Sequence, residues 1–203
     1  MNKRFDPKIS PILSAVIDNI EATLKCPKFQ KYGHLIDIDT WQNIENKMSR
    51  NKNVAKKGFG FCISNFFEYG DFKRIIIINM EKCDKLNLTE GEIAAIVYHE
   101  LGHLLNSPEL TVEPSIAFCI LNYIKYDHKL YEEIRSDNSI KEEIFADSYA
   151  NQNNYGIELI STFHKHNQYF DEKIGHFEIR VEKIISKELF SGSVRPIEKN
   201  DCY

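Results

Sequence analysis

The sequence predicts an α+β fold, a mostly helical body carrying a small antiparallel β-sheet. Three observations point there. Residues 58–64 (GFGFCIS) and 72–79 (FKRIIIIN) are short runs rich in aromatic and β-branched residues, with a turn signal at Gly70-Asp71 between them. From residue 88 onward apolar residues recur at helical spacing in one segment after another. The chain has 203 residues at 42% hydrophobic content, enough for one domain with its own core.

Taken in order, Ser10-Pro11 has the pattern of an N-cap followed by proline at the first helical position. Leu13, Val16, Ile17, Ile20 and Leu24 then repeat with the helical period, which predicts a helix over 11–25. A short helix is expected at 40–50 and a Lys-rich polar loop at 51–57. The two strands follow as an antiparallel pair. Thr89 and Glu92 have capping-box spacing and open a helix that runs to about Leu105, where Asn106-Ser107-Pro108 stops it. Another helix is expected over 114–126. Ser139 and Glu142 form a second box opening a helix over 140–153, which Gly156 ends. Two last helices cover 157–168 and 171–189, and 191–203 is a polar tail. The domain reading is a single unit over 1–203: an N-terminal helical segment over 1–57, a catalytic core over 58–190 and the tail.

Composition narrows the function. Lys plus Arg number 26 against 30 Asp plus Glu, a formal charge of -4, so no nucleic-acid partner is expected. The longest apolar runs, Ile93 to Tyr98 and Ile116 to Leu121, are too short to cross a bilayer. No apolar h-region follows the charged start, so no signal peptide and no membrane insertion are expected. Five cysteines without a CxxC pair suit a reducing compartment, and the expected location is cytoplasmic.

One motif carries chemistry. Residues 96–105, Ile96-Val97-Tyr98-His99-Glu100-Leu101-Gly102-His103-Leu104-Leu105, contain HExxH inside the capped helix. At about 100° per residue, His99 and His103 lie ~40° apart on the helix surface and can meet one ion. Glu100 lies ~100° round from His99, placed to reach a water on the metal rather than the metal itself. This is the requirement of catalytic zinc: imidazole ligands, an open position, and a carboxylate that takes a proton from water.

A third protein ligand is needed, and two candidates are open. Glu143 and Asp147, four apart in Glu143-Ile144-Phe145-Ala146-Asp147, share a helix face. Glu143 would bind the metal while Asp147 accepts the second N–H of a ligating histidine. The small Ala146 and Ala150 would let their helix approach the HExxH helix. Glu109, six residues after His103, is the other candidate. There Asn106 stands where metzincins have glycine, and Met80 is the last methionine, so no Met-turn follows.

Residues 86–105, LNLTEGEIAAIVYHELGHLL, with EIFADSYA at 143–150, resemble the gluzincin metallopeptidases of the HtpX and CAAX-prenyl-protease type. The resemblance spans roughly 72–184. It implies His99, His103 and Glu143 as ligands of one zinc ion per chain, Glu100 as general base and Asp147 as the histidine-orienting carboxylate. That family also has a downstream histidine, followed by an arginine, that supports the oxyanion. His176-Phe177-Glu178-Ile179-Arg180 is the nearest match, at shorter spacing, and gives His176 that role. Strand 72–79 resembles the edge strand along which zincins lay an extended substrate. The ImmA/IrrE-type metallopeptidases, which combine HExxH with an ExxA(N/D)xxA helix, are a neighbouring resemblance. The expectation is a zinc metalloendopeptidase acting on a peptide or protein substrate. The alternative is a regulatory or binding protein that retains the zinc site and cleaves little.

Overall fold

The computed structural model describes residues 1–44, 58–68, 71–106, 128–171 and 173–186. The expected features at 45–57, 114–126 and 191–203, and Glu109, lie outside these residues. The described chain is mostly helical with one four-stranded sheet, an α+β arrangement.

The strands are β1 (Asn2–Lys3), β2 (Ile36–Thr40), β3 (Gly60–Glu68) and β4 (Asp71–Ile78), ordered β1-β2-β4-β3. The expected antiparallel pair is present as β3 and β4, with Glu68 opposite Asp71 and two residues between them. The sheet as a whole is mixed, however, not antiparallel, because β2 runs parallel to both β4 and β1. The edge strand also changes. β4 lies in the middle of the sheet, and β3 is an edge among the described residues.

The run Ile75-Ile76-Ile77-Ile78 explains the central place of β4. Ile76 and Ile78 face the main helical core, whereas Ile75 and Ile77 face Trp41 and Ile44 on the other side. A strand covered on both faces has no position for a polar side chain, so it reads as a continuous apolar run.

The helices are α1 (Pro11–Thr23), α2 (Pro27–Tyr32), α3 (Trp41–Ile44), α4 (Met80–Lys85), α5 (Glu90–Asn106), α6 (His128–Gln152), α7 (Gly156–Tyr169) and α8 (Phe177–Ser186). Ser10 does precede α1, with Pro11 in its first turn, although the Ser10 side chain makes no capping bond. Helix α5 is the axis of the body and packs on α1, α6, α7 and β3. Leu13, Val16, Ile17 and Ile20 of α1 share one apolar cluster with Ile93, Ile96, Val97 and Leu101 of α5, so the N-terminal segment adds strands and core to the same body.

Two boundaries differ from expectation. Helix α6 starts at His128, so Ser139 is inside the helix and is not its cap. Its end is marked not by Gly156, which opens α7, but by Asn154 in the left-handed region at φ 69°. Asparagine tolerates that conformation because its short side chain bonds locally.

Candidate metal centre

The entry into α5 is fixed by a reciprocal cap. The Thr89 hydroxyl accepts the Glu92 N–H at 3.3 Å, and the Glu92 carboxylate accepts the Thr89 N–H at 2.7 Å. Glu92 also accepts from Lys165 and Ser161 of α7, each at 2.7 Å, which ties the start of α5 to a second helix. Two and a half turns on, at about 3.6 residues per turn, come His99, Glu100 and His103.

His99 and His103 turn their Nε2 atoms toward one point, 3.1 Å apart. Helix α6 brings Glu143 to the same point. One carboxylate oxygen lies 3.6 Å from His99 Nε2 and the other 3.5 Å from His103 Nε2. Donors bonded at about 2.1 Å around one tetrahedral ion stand roughly 3.4 Å apart. The triangle therefore has the dimensions of a three-ligand metal site, and these three residues could hold a metal ion. Glu142, the neighbour of Glu143, is exposed.

The surroundings orient the donors. His99 Nδ1 lies 2.9 Å from Asp147 Oδ1, which places the ring proton there and leaves Nε2 with its lone pair toward the triangle. Asp147 is 1% exposed and receives two further bonds, from Arg180 Nε and Nη2, each 2.7 Å. Arg180 Nη1 is 2.7 Å from Glu143, so a single guanidinium serves the carboxylates of Glu143 and Asp147 together. Its flat face covers the Phe163 ring at 4.5 Å.

Electrostatics follow from this arrangement. Burial raises the Glu143 pKa, but the hydrogen bond with His103 and the charges of His99 and Arg180 outweigh it and bring the pKa to about 2. Burial also opposes ionisation of Asp147, and the bonds from His99 and Arg180 overcome it, so its pKa is lowered. For His103, burial favours the neutral ring, yet the hydrogen bond with Glu143 and the charge of Glu100 raise its pKa. Glu100 is different. It is 6% exposed, and burial pushes its carboxyl above the usual carboxylate range despite the two histidines.

Glu100 sits on the wall of a cleft of about 380 Å³ that also contains His99, His103, Glu143 and Arg180. One side is the chain from Gly58 to Cys62, which enters β3 at Gly60, and the other is an apolar wall that includes Ile96, Leu159 and Phe163. Of the residues singled out from the sequence, His99, Glu100, His103, Glu143 and Asp147 come together here. His176 does not. It is exposed in the turn before α8, in the left-handed region at φ 54°, and its carbonyl accepts the Arg180 N–H at 3.0 Å. The residue that α8 sends into the cleft is Arg180. Its signal in the sequence was a lone arginine at a position of α8 that faces inward, alongside Ile184 one turn later.

Comparison with known proteins agrees with this geometry in outline. Over 122 residues the chain is 36% identical to a CAAX prenyl protease 1 homolog of Arabidopsis thaliana. The match covers 57% of this chain and 28% of that protein, so the chain spans less than a third of its relative's length. No family model matches, and no solved structure matches. A protease-named relative and a His-His-Glu donor triangle together support kinship with metallopeptidases. Among the described residues no helix is long and apolar enough to cross a membrane.

Proposed function

We propose that this protein is a zinc-dependent metallopeptidase that hydrolyses a peptide bond in the cleft between β3 and α5. The observation that carries the reading is the donor triangle of His99, His103 and Glu143, with Glu100 beside it in the same cleft. Two imidazoles and one carboxylate suit zinc, and a three-residue set leaves one position for substrate or water. When bound, zinc supplies Lewis acidity, polarising a carbonyl and making water more acidic.

The chain's own residues supply the rest. Among the described residues β3 is an edge of the sheet, and an extended peptide would lie along it in the cleft as one more strand. Glu100 takes the proton from the attacking water and returns it to the leaving amine. Its raised pKa brings it nearer neutrality, where a base that must also act as an acid works best. Asp147 and Arg180 hold His99 and Glu143 in place while charge shifts around them.

The test combines metal analysis with one substitution. Purified protein is expected to carry one zinc per chain, and Glu100→Gln should retain it while hydrolysis of casein or a peptide library falls by at least 100-fold. Absence of bound metal after zinc addition would sink the proposal. Zinc bound with no hydrolysis by the wild type would point instead to a regulatory or binding protein.

A further inference from the structure

Gly60 is the first residue of β3 and lines the cleft, and its backbone is not in the left-handed region. An alanine could adopt the same conformation, so the absence of a side chain must answer to space. A Cβ built there would lie 3.1 Å from Glu100 Cγ, 3.1 Å from Glu100 Oε1 and 3.1 Å from the Ile78 Cδ1 methyl. Non-bonded carbon atoms settle at about 3.5–4.0 Å, so these contacts are repulsive. The Ile78 methyl ends a flexible side chain and can turn aside. The Glu100 carboxyl has less room, since it is buried between the strand and the donor cluster.

We propose that Gly60 is a positioning residue: the bare face of the strand at this position is the seat of the Glu100 carboxylate. This deepens the reading above and rests on Glu100 as the base. A glycine inside a strand weakens it, because it has no side chain to pack and orders a more flexible backbone. Its presence opposite the fully buried Ile78 is explained by the room it gives to a charged neighbour. The missing Cβ points off the sheet face toward α5. The backbone hydrogen-bonding groups of β3 lie in the sheet plane, so a methyl group at Gly60 does not cover them.

That geometry separates two kinds of effect. In Gly60→Ala the carboxyl shifts while the triangle and the strand edge stay as they are. The expected outcome is a kcat reduced about 10–100-fold, the usual penalty for misplacing a reacting group by a fraction of an ångström to an ångström. KM and zinc affinity should stay within threefold of wild type. A risen KM with kcat preserved would mean that the glycine serves substrate approach, and would overturn the seat. So would unchanged kinetics.

A second measurement does not depend on activity. Thermal unfolding of Gly60→Ala is compared in the wild-type and Glu100→Ala backgrounds, all zinc-loaded. With Glu100 present the substitution should lower Tm by about 2–4 °C; with Glu100→Ala the obstacle is gone and Tm should rise or hold, since alanine suits a strand better than glycine. Equal shifts in both backgrounds would overturn the proposal. If wild type hydrolyses nothing, the peptidase reading falls, and this thermal cycle still decides whether Gly60 seats the carboxyl.

Discussion

Arg180 donates to two carboxylates at once, so its loss leaves Asp147 as a buried anion without its cation. Breaking a buried pair from one side costs about 3–5 kcal/mol, and Arg180→Met should destabilise the protein by that order in urea unfolding. The double variant Arg180→Met with Asp147→Asn should recover part of the loss, because the buried Asp147 charge is no longer orphaned while Glu143 keeps its two histidine neighbours; no recovery would show that Arg180 matters through Glu143 and its packing on Phe163 rather than through Asp147. Asp147→Asn by itself is expected to weaken zinc binding roughly 10–100-fold, read by competition titration. A pH effect follows from His103. Its pKa is raised, so the proton stays on the ring to higher pH than on an ordinary imidazole, near 6.5. Metal and proton compete for that nitrogen, so zinc affinity should fall as pH drops through this raised value, by about tenfold per pH unit for one proton. Glu143, at about 2, and Asp147, lowered, add no proton in that range. A flat affinity between pH of about 8 and about 5.5 would contradict the assignment of His103 as ligand. At this scale much was legible: HExxH and the Glu143–Asp147 spacing name residues that the fold does bring together. Arg180 was named only as the arginine following His176, and its place against Glu143 and Asp147 could not be read until the partners on α6 were known.

The close crossing of α5 and α6 is set by small residues. A Cβ at Gly102 would lie 3.0 Å from the Ala146 Cα and 3.0 Å from the Tyr149 Cβ, so the two backbones meet nearly face to face there. On an exposed helix Gly→Ala is worth about 1 kcal/mol in the favourable direction. Here the methyl group must push α6 away, and overpacking of this kind costs about 1–3 kcal/mol. Gly102→Ala should therefore lower Tm and also weaken zinc binding, since Glu143 retreats from both histidines. Gly175→Ala, where a Cβ meets nothing within 4 Å, is the control and should do neither. A stabilised Gly102→Ala would mean that the helices are not in contact as described. The value of Ala146 for this approach was readable from its spacing, and so was the Thr89–Glu92 cap. The start of α6 was not. Ser139 and Glu142 have box spacing, but the same spacing occurs inside helices, and only the chain before residue 139 decides whether the serine ends a helix or continues one. Strand β2 was missed as well, because Asp37 and Asp39 make IDIDT look like a loop. Both are buried; the Asp39 carboxylate accepts from the Thr40 N–H at 2.8 Å and from the Asn43 amide at 2.9 Å.

Across the whole molecule, the candidate centre stands where the sheet edge, α5, α6 and α8 converge. The four isoleucines of β4 bury the middle of the sheet and, among the described residues, β3 is an edge, so the strand that resembled a zincin edge strand is central and its antiparallel neighbour faces the cleft. The three donors that could hold a metal come from α5 and α6, and Arg180 extends their charge network to α8. A metal bound there would join α5 to α6, beside the His99–Asp147 contact that already links them. Because an unfolded chain cannot hold the triangle, binding favours the folded state by RT ln(1 + [L]/Kd), which is about 4 kcal/mol at a thousandfold excess over Kd. For a chain of about 200 residues each kcal/mol moves Tm by roughly 2–4 °C, so zinc saturation should raise Tm by roughly 8–16 °C. A chelator should reverse the rise, and added zinc should restore it. The same comparison in Glu143→Ala separates the triangle from weaker histidine sites: with only His99 and His103 left, the zinc-dependent rise should shrink to a few degrees at equal zinc. An undiminished rise in that variant would place the bound metal elsewhere in the protein.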